Sequence, residues 1–81
     1  MNIFEKICEI IKEMSGLKTV RYDDLLVENI GLDSLKMVTL IIELEDAFGI
    51  TFDESDMNPF NLITVKDAAE LVRKYKGDEN D

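Results

Sequence analysis

The stretch Gly31-Leu32-Asp33-Ser34-Leu35-Lys36-Met37-Val38-Thr39-Leu40-Ile41-Ile42-Glu43-Leu44-Glu45-Asp46-Ala47-Phe48-Gly49 reads as one complete helix with its own start and stop. Asp33 or Ser34 can serve as N-cap, since either side-chain oxygen can accept from a first-turn N–H. Gly49 can take the left-handed conformation that ends a helix. At about 100° per residue, Met37, Leu40, Ile41, Leu44, Ala47 and Phe48 share one arc and form a core stripe. Lys36, Thr39, Glu43 and Asp46 make a polar arc. Leu35, Val38 and Ile42 form a third group, apolar but turned away from the core centre. Burying one such residue stabilises by roughly 1.5–3 kcal/mol. Leaving three of them wet therefore has a cost, so they either pack under another element or dock a partner.

Two more helices flank this one. Ile3, Ile7, Ile10, Ile11 and Met14 recur at three- and four-residue spacing, Phe4 and Cys8 widen the stripe, and Gly16 supplies the stop. Cys8 sits at the edge of the apolar arc, which suits packing better than reactivity. Near the C-terminus, Thr64 and Asp67 have capping-box spacing. Val65, Ala68, Ala69, Val72 and Tyr75 give that helix its buried stripe, and Lys74 and Lys76 near its end suit the macrodipole. Residues 17–33 show no period yet hold Leu17, Val20, Tyr22, Leu25, Leu26, Ile30 and Leu32, so this segment should lie across the helices and add to the core. A connection of that length without regular structure is often functional. After Phe52 comes an acidic turn, Asp53-Glu54-Ser55-Asp56, and Pro59 can start a short helical turn through Leu62. The expected fold is all-α: a small antiparallel bundle of three main helices plus one short helix. Residues 1–76 form a single domain, and 77–81 form a disordered acidic tail.

Charge is unevenly spread. The 81 residues carry a net charge of −9. Residues 23–56 hold ten acids against one base, Lys36, and account for the whole excess. Such a field opposes nucleic acid, whose phosphates need clustered Lys and Arg, and suits encounters with basic partner surfaces. The single cysteine excludes an internal disulfide, and nothing groups with it as a metal site. No apolar run approaches the roughly 18 residues of a membrane span, and the acid-containing, periodic N-terminus does not read as a signal peptide. A cytoplasmic monomer is the expectation. Asp53-Glu54-Ser55-Asp56 is a poor calcium loop, because Met57 and Asn58 fall where the regular acid spacing and the glycine belong.

Catalysis is poorly supported. A seryl nucleophile needs a neighbouring base, and the sequence contains no histidine. Lys36 projects from a different face of the helix than Ser34. Ser34 is thus either a plain N-cap or a point of attachment at a helix N-terminus, where unsatisfied N–H groups and the dipole favour an anion such as a phosphodiester.

Gly31-Leu32-Asp33-Ser34-Leu35, with Asp24-Leu25-Leu26 and Glu28-Asn29-Ile30 before it, resembles the phosphopantetheine attachment region of acyl and peptidyl carrier proteins. Glu43-Leu44-Glu45-Asp46-Ala47-Phe48-Gly49-Ile50 and Ile63-Thr64-Val65-Lys66-Asp67-Ala68-Ala69 extend the resemblance to roughly residues 3–75. It implies that a phosphopantetheinyl transferase moves a 4′-phosphopantetheine arm from coenzyme A to Ser34. The arm then holds an acyl, aminoacyl or polyketide intermediate as a thioester, and the chain itself catalyses nothing. It further implies that loading and transfer enzymes with basic docking surfaces meet Asp33, Leu35, Val38, Ile42, Glu45 and Asp46. Lys36 and Thr39 depart from the acids that carriers of primary fatty acid synthesis usually have after Ser-Leu. A specialised pathway, or a stand-alone aminoacyl carrier, stays open beside the primary role, as does an unmodified helical adaptor.

Overall fold

The computed structural model describes residues 2–58 and 61–77. Helix α1 spans Ile3–Ser15, α2 Ser34–Phe48 and α3 Val65–Lys76. Each end carries a local reason. Asn2 opens α1 with a capping box, its side chain accepting from the Glu5 N–H at 2.8 Å while the Glu5 carboxylate accepts from the Asn2 N–H at 3.4 Å. Gly16 closes α1 in the left-handed region at φ 78°, its N–H reaching the Lys12 carbonyl at 2.8 Å. A Cβ is strained there, so glycine fits where other residues would not. Thr64 and Asp67 form the expected capping box at the start of α3.

The three helices pack against one another as a bundle. Its centre is apolar: Ile7 and Ile11 of α1, Leu40, Ile41 and Leu44 of α2, and Val65 and Val72 of α3 are almost wholly buried. No charged or polar residue is buried among the described residues. Ala68 and Ala69 are buried in α3, and their small side chains let the elements around them approach. Ala47, Phe48 and Tyr75, placed on core stripes by the sequence, are only half-buried.

The segment between α1 and α2 contributes to the core as expected, through Val20, Leu26, Ile30 and Leu32. Leu17 and Tyr22 do not follow. Both stay exposed, Tyr22 meeting Phe4 edge-to-face at 5.2 Å. Backbone hydrogen bonds stitch this segment to the start of α3: Leu26 N–H to the Ile63 carbonyl at 2.9 Å, Val65 N–H to Asp24 at 3.1 Å and Lys66 N–H to Tyr22 at 2.9 Å. One isolated antiparallel bridge, Leu25 to Thr64, belongs to this seam. The segment that leads into α2 is thereby held to the start of α3.

A short 3-10 turn lies at Glu54–Asp56, within the acidic turn. The helical turn expected from Pro59 through Leu62 falls partly outside the described residues, as does the tail from Asp78.

Candidate functional site

Ser34 is the first residue of α2 and not its cap. Asp33 has extended backbone, φ −87° and ψ −179°, and its Oδ1 accepts from the Lys36 N–H at 2.8 Å. Its carbonyl accepts from the Met37 N–H at 2.9 Å. Capping is therefore discharged by Asp33, and the Ser34 hydroxyl makes no hydrogen bond among the described residues. Ser34 is exposed, between buried Leu32 and buried Met37, which pin the chain on either side of it. With Lys36 and Met37 satisfied, the Ser34 and Leu35 N–H groups remain free for an anion at the positive end of the dipole.

The turn that delivers Ser34 is self-bonded. The Asn29 side chain accepts from the Leu25 N–H at 2.8 Å, and the N–H groups of Asn29 and Ile30 return to the Leu25 carbonyl at 2.9 and 3.0 Å. Gly31 stands at φ 90°, a conformation that disfavours every residue with a Cβ. Its N–H bonds the Val27 carbonyl, and Leu32 N–H bonds that of Leu26. Burial of Leu26, Ile30 and Leu32 fixes this turn to the core, so Ser34 sits on a rigid support.

The apolar group on α2 faces water. Leu35, Val38 and Ile42 are 74%, 43% and 48% exposed. No element of the described structure buries them, so of the two expectations packing under another element fails. Asp46 is exposed beyond Ile42, whereas Glu45 is half-buried. The Glu45 Oε2 accepts from the Phe52 N–H at 2.8 Å, so this carboxylate also holds the loop after α2. The Thr39 hydroxyl turns back to the Leu35 carbonyl at 3.1 Å.

Cys8 is buried, with Sγ 3.8 Å from the Val20 carbonyl oxygen, and burial pushes its thiol pKa up. A thiol held protonated in this way is a packing group and a poor nucleophile. No cluster of His, Cys, Asp or Glu able to hold a metal ion occurs among the described residues.

A second cluster had no signature in the sequence. The Tyr75 hydroxyl donates to Asp56 Oδ2 at 2.5 Å and accepts from the Asp53 N–H at 2.8 Å, while Lys74 Nζ lies 3.0 Å from the same Asp56 oxygen. The Tyr75 ring meets Phe52 edge-to-face at 5.0 Å. This clasp ties the acidic turn to the end of α3.

Comparison with known proteins bears on the whole chain. Residues 5–72 match the family described as "Phosphopantetheine attachment site". The chain belongs to this family. It is 39% identical over 79 residues to an acyl carrier protein of Desulforapulum autotrophicum, covering 91% of this chain and 97% of that one. Acyl carrier proteins of Solidesulfovibrio magneticus and Thermotoga maritima are each 32% identical, covering 96% and 93% of this chain and 100% and 93% of theirs. As a member of the family the chain is a carrier and not a catalyst, and 4′-phosphopantetheine is its covalent group. No helix of the described residues is long and apolar enough to cross a membrane.

Proposed function

We propose that Ser34 is the residue to which phosphopantetheine is attached, and that the outward face of α2 is where the modifying and loading enzymes dock. The observation that carries the reading is the division of labour at the helix start. Asp33 does the capping, which leaves the Ser34 hydroxyl unbonded and exposed. The residues fit the group: free first-turn N–H groups suit a phosphodiester, and exposed Leu35 flanks the start of the arm.

Attachment joins Ser34 Oγ to the phosphorus that carries the pantetheine in coenzyme A. The P–O bond to the nucleotide phosphate breaks, and the hydroxyl proton leaves. This chain supplies no base for that proton, since it has no histidine and the Asp33 carboxylate caps the helix. The transferase supplies the base, and this chain supplies a rigidly presented hydroxyl. Once attached, the arm's thiol holds an intermediate as a thioester. Tethering raises its effective concentration at each enzyme in turn.

Cargo on this reading is an acyl group of fatty acid, polyketide or related synthesis. Lys36 and Thr39 favour enzymes dedicated to this carrier over general ones. A cytoplasmic location accompanies the reading, since transferase, coenzyme A and carrier must meet. Partner contacts fall on Leu35, Val38, Ile42 and Asp46, with smaller parts for Asp33 and Glu45, whose carboxylates are already engaged.

Intact mass after incubation with coenzyme A, magnesium and a broad-specificity phosphopantetheinyl transferase tests the assignment. The wild type should gain one phosphopantetheinyl group and Ser34→Ala none. A gain by Ser34→Ala would move the site elsewhere, and no gain by either would leave an unmodified adaptor or a carrier that requires its own transferase, between which a second transferase decides.

A further inference from the structure

The outward face of α2 changes sign along its length. Lys36, in the first turn, is the only base between Arg21 and Lys66. It is exposed, and its side chain has no ion pair or hydrogen bond among the described residues. Its neighbours three and four positions onward, Thr39 and Leu40, carry no charge. Behind it, Asp33 keeps its carboxylate charge while one of its oxygens accepts from the Lys36 backbone N–H. The next acids on that flank are Glu43 and Asp46, both exposed. At about 1.5 Å rise per residue they lie about 10 and 15 Å farther along the axis, beyond pairing distance. The row Leu35, Val38 and Ile42 runs beside these charges for the same length.

A uniformly basic docking face therefore fits the far end of α2 better than the near end, where Lys36 stands beside Asp33. At the near end it opposes Lys36 with like charge, two residues from Ser34, and like charges facing across a docked surface repel. We propose that the enzymes this carrier serves present a two-signed face. An acidic side chain stands opposite Lys36, at the Ser34 end of α2 but on a different face from the arm, and basic side chains stand opposite Glu43 and Asp46. The apolar row seats between them. Such a face also fixes polarity, because docking with α2 reversed sets acid against Asp46 and base against Lys36. The sign pattern thus brings the Ser34 end to the entry and rejects the opposite orientation. The proposal rests on the carrier reading and specifies its partners.

Two enzymes test it: a broad-specificity phosphopantetheinyl transferase with a basic docking face, and its variant in which the base facing the first turn of α2 is exchanged for Glu. The kcat/KM for mass gain is measured with wild type, Lys36→Gln and Lys36→Glu carriers, each checked for unchanged helical circular dichroism. With the parent enzyme, Lys36→Glu should be modified faster than Lys36→Gln, and Lys36→Gln faster than wild type. The full span should be roughly three- to tenfold, shrinking at high salt. With the Glu variant the order should reverse. The same order with both enzymes, or no order with either, overturns the proposal while leaving the carrier reading intact. Absence of mass gain in every combination, and with a second transferase as well, overturns both. Sedimentation of the wild type as a dimer that Lys36→Glu dissociates would assign the face to a second copy of this chain, and would also overturn the proposal.

Discussion

Asp33 and Ser34 are adjacent, and both are residue types that cap helices, yet the backbone gives them different work. Asp33 holds the extended cap conformation and the bond to the Lys36 N–H, while Ser34 is already helical. This separation has a thermodynamic signature. Asp33→Ala removes the cap and should lower unfolding free energy by about 1 kcal/mol, with Asp33→Asn retaining most of it. Ser34→Ala removes no hydrogen bond and installs a better helix former, so stability should hold or rise by a few tenths of a kcal/mol. Urea unfolding of the three variants checks both. A loss near 1 kcal/mol in Ser34→Ala would mean that Ser34 caps in solution, and would remove the main support for its hydroxyl being free. The sequence alone left these two residues indistinguishable, because the choice depends on backbone dihedrals that the turn at 26–32, anchored by buried Leu26, Ile30 and Leu32, imposes from outside the helix.

The helices themselves were legible, because each carries its period and its stops locally: Gly16, Gly49 and the Thr64–Asp67 box fall where the chain ends or begins a helix. The contacts between distant segments were not. Asp56 and Tyr75 are nineteen positions apart, and no periodicity joins them. Their clasp predicts a pH response with two arms. The Tyr75 hydroxyl bond, and after it the Lys74 bond, hold the Asp56 carboxyl below its ordinary value of 3.8. A carboxyl whose folded pKa is depressed stabilises above its unfolded pKa, and that stabilisation is lost as pH falls through the lower folded value. The Asp56 bond also raises the Tyr75 pKa above its ordinary 10.0. That contribution is full below pH 10 and is lost as pH rises through the folded value. Tyr75→Phe keeps the ring against Phe52 but releases the Asp53 N–H and Asp56. It should speed exchange of the Asp53 amide at neutral pH and flatten both the acid arm, below about pH 4, and the alkaline arm, above about pH 10, of the stability curve. Unchanged exchange at Asp53 would show that the clasp does not persist in solution.

Across the whole molecule the dominant feature is charge imbalance, with 18 acids and 9 bases on a body of 28 × 27 × 19 Å. The imbalance is readable in the sequence, but its consequence depends on compactness. At 0.01 M salt the screening length is about 30 Å, longer than the molecule, so the acids of residues 23–56 repel one another across the fold. At 0.15 M it is about 8 Å, shorter than the 11.4 Å radius of gyration, and most of that repulsion is gone. Screening also weakens attractive contacts such as the ion pair of Lys74 with half-buried Asp56. Repulsion should win, because ten acids stand against one base in residues 23–56 and exposed ion pairs contribute little. The urea midpoint should therefore rise between 0.01 and 0.15 M sodium chloride and level off above it, where screening of self-repulsion is nearly complete. Glu28→Gln and Glu43→Gln, which remove exposed acids from the crowded segment, should raise the midpoint at low salt and do little at high salt. Lys36→Gln, which removes the only base there, should lower it at low salt. A midpoint that falls with salt would mean that unseen attractive pairs outweigh the repulsion. A response equal in all three variants would place the salt effect outside the 23–56 segment.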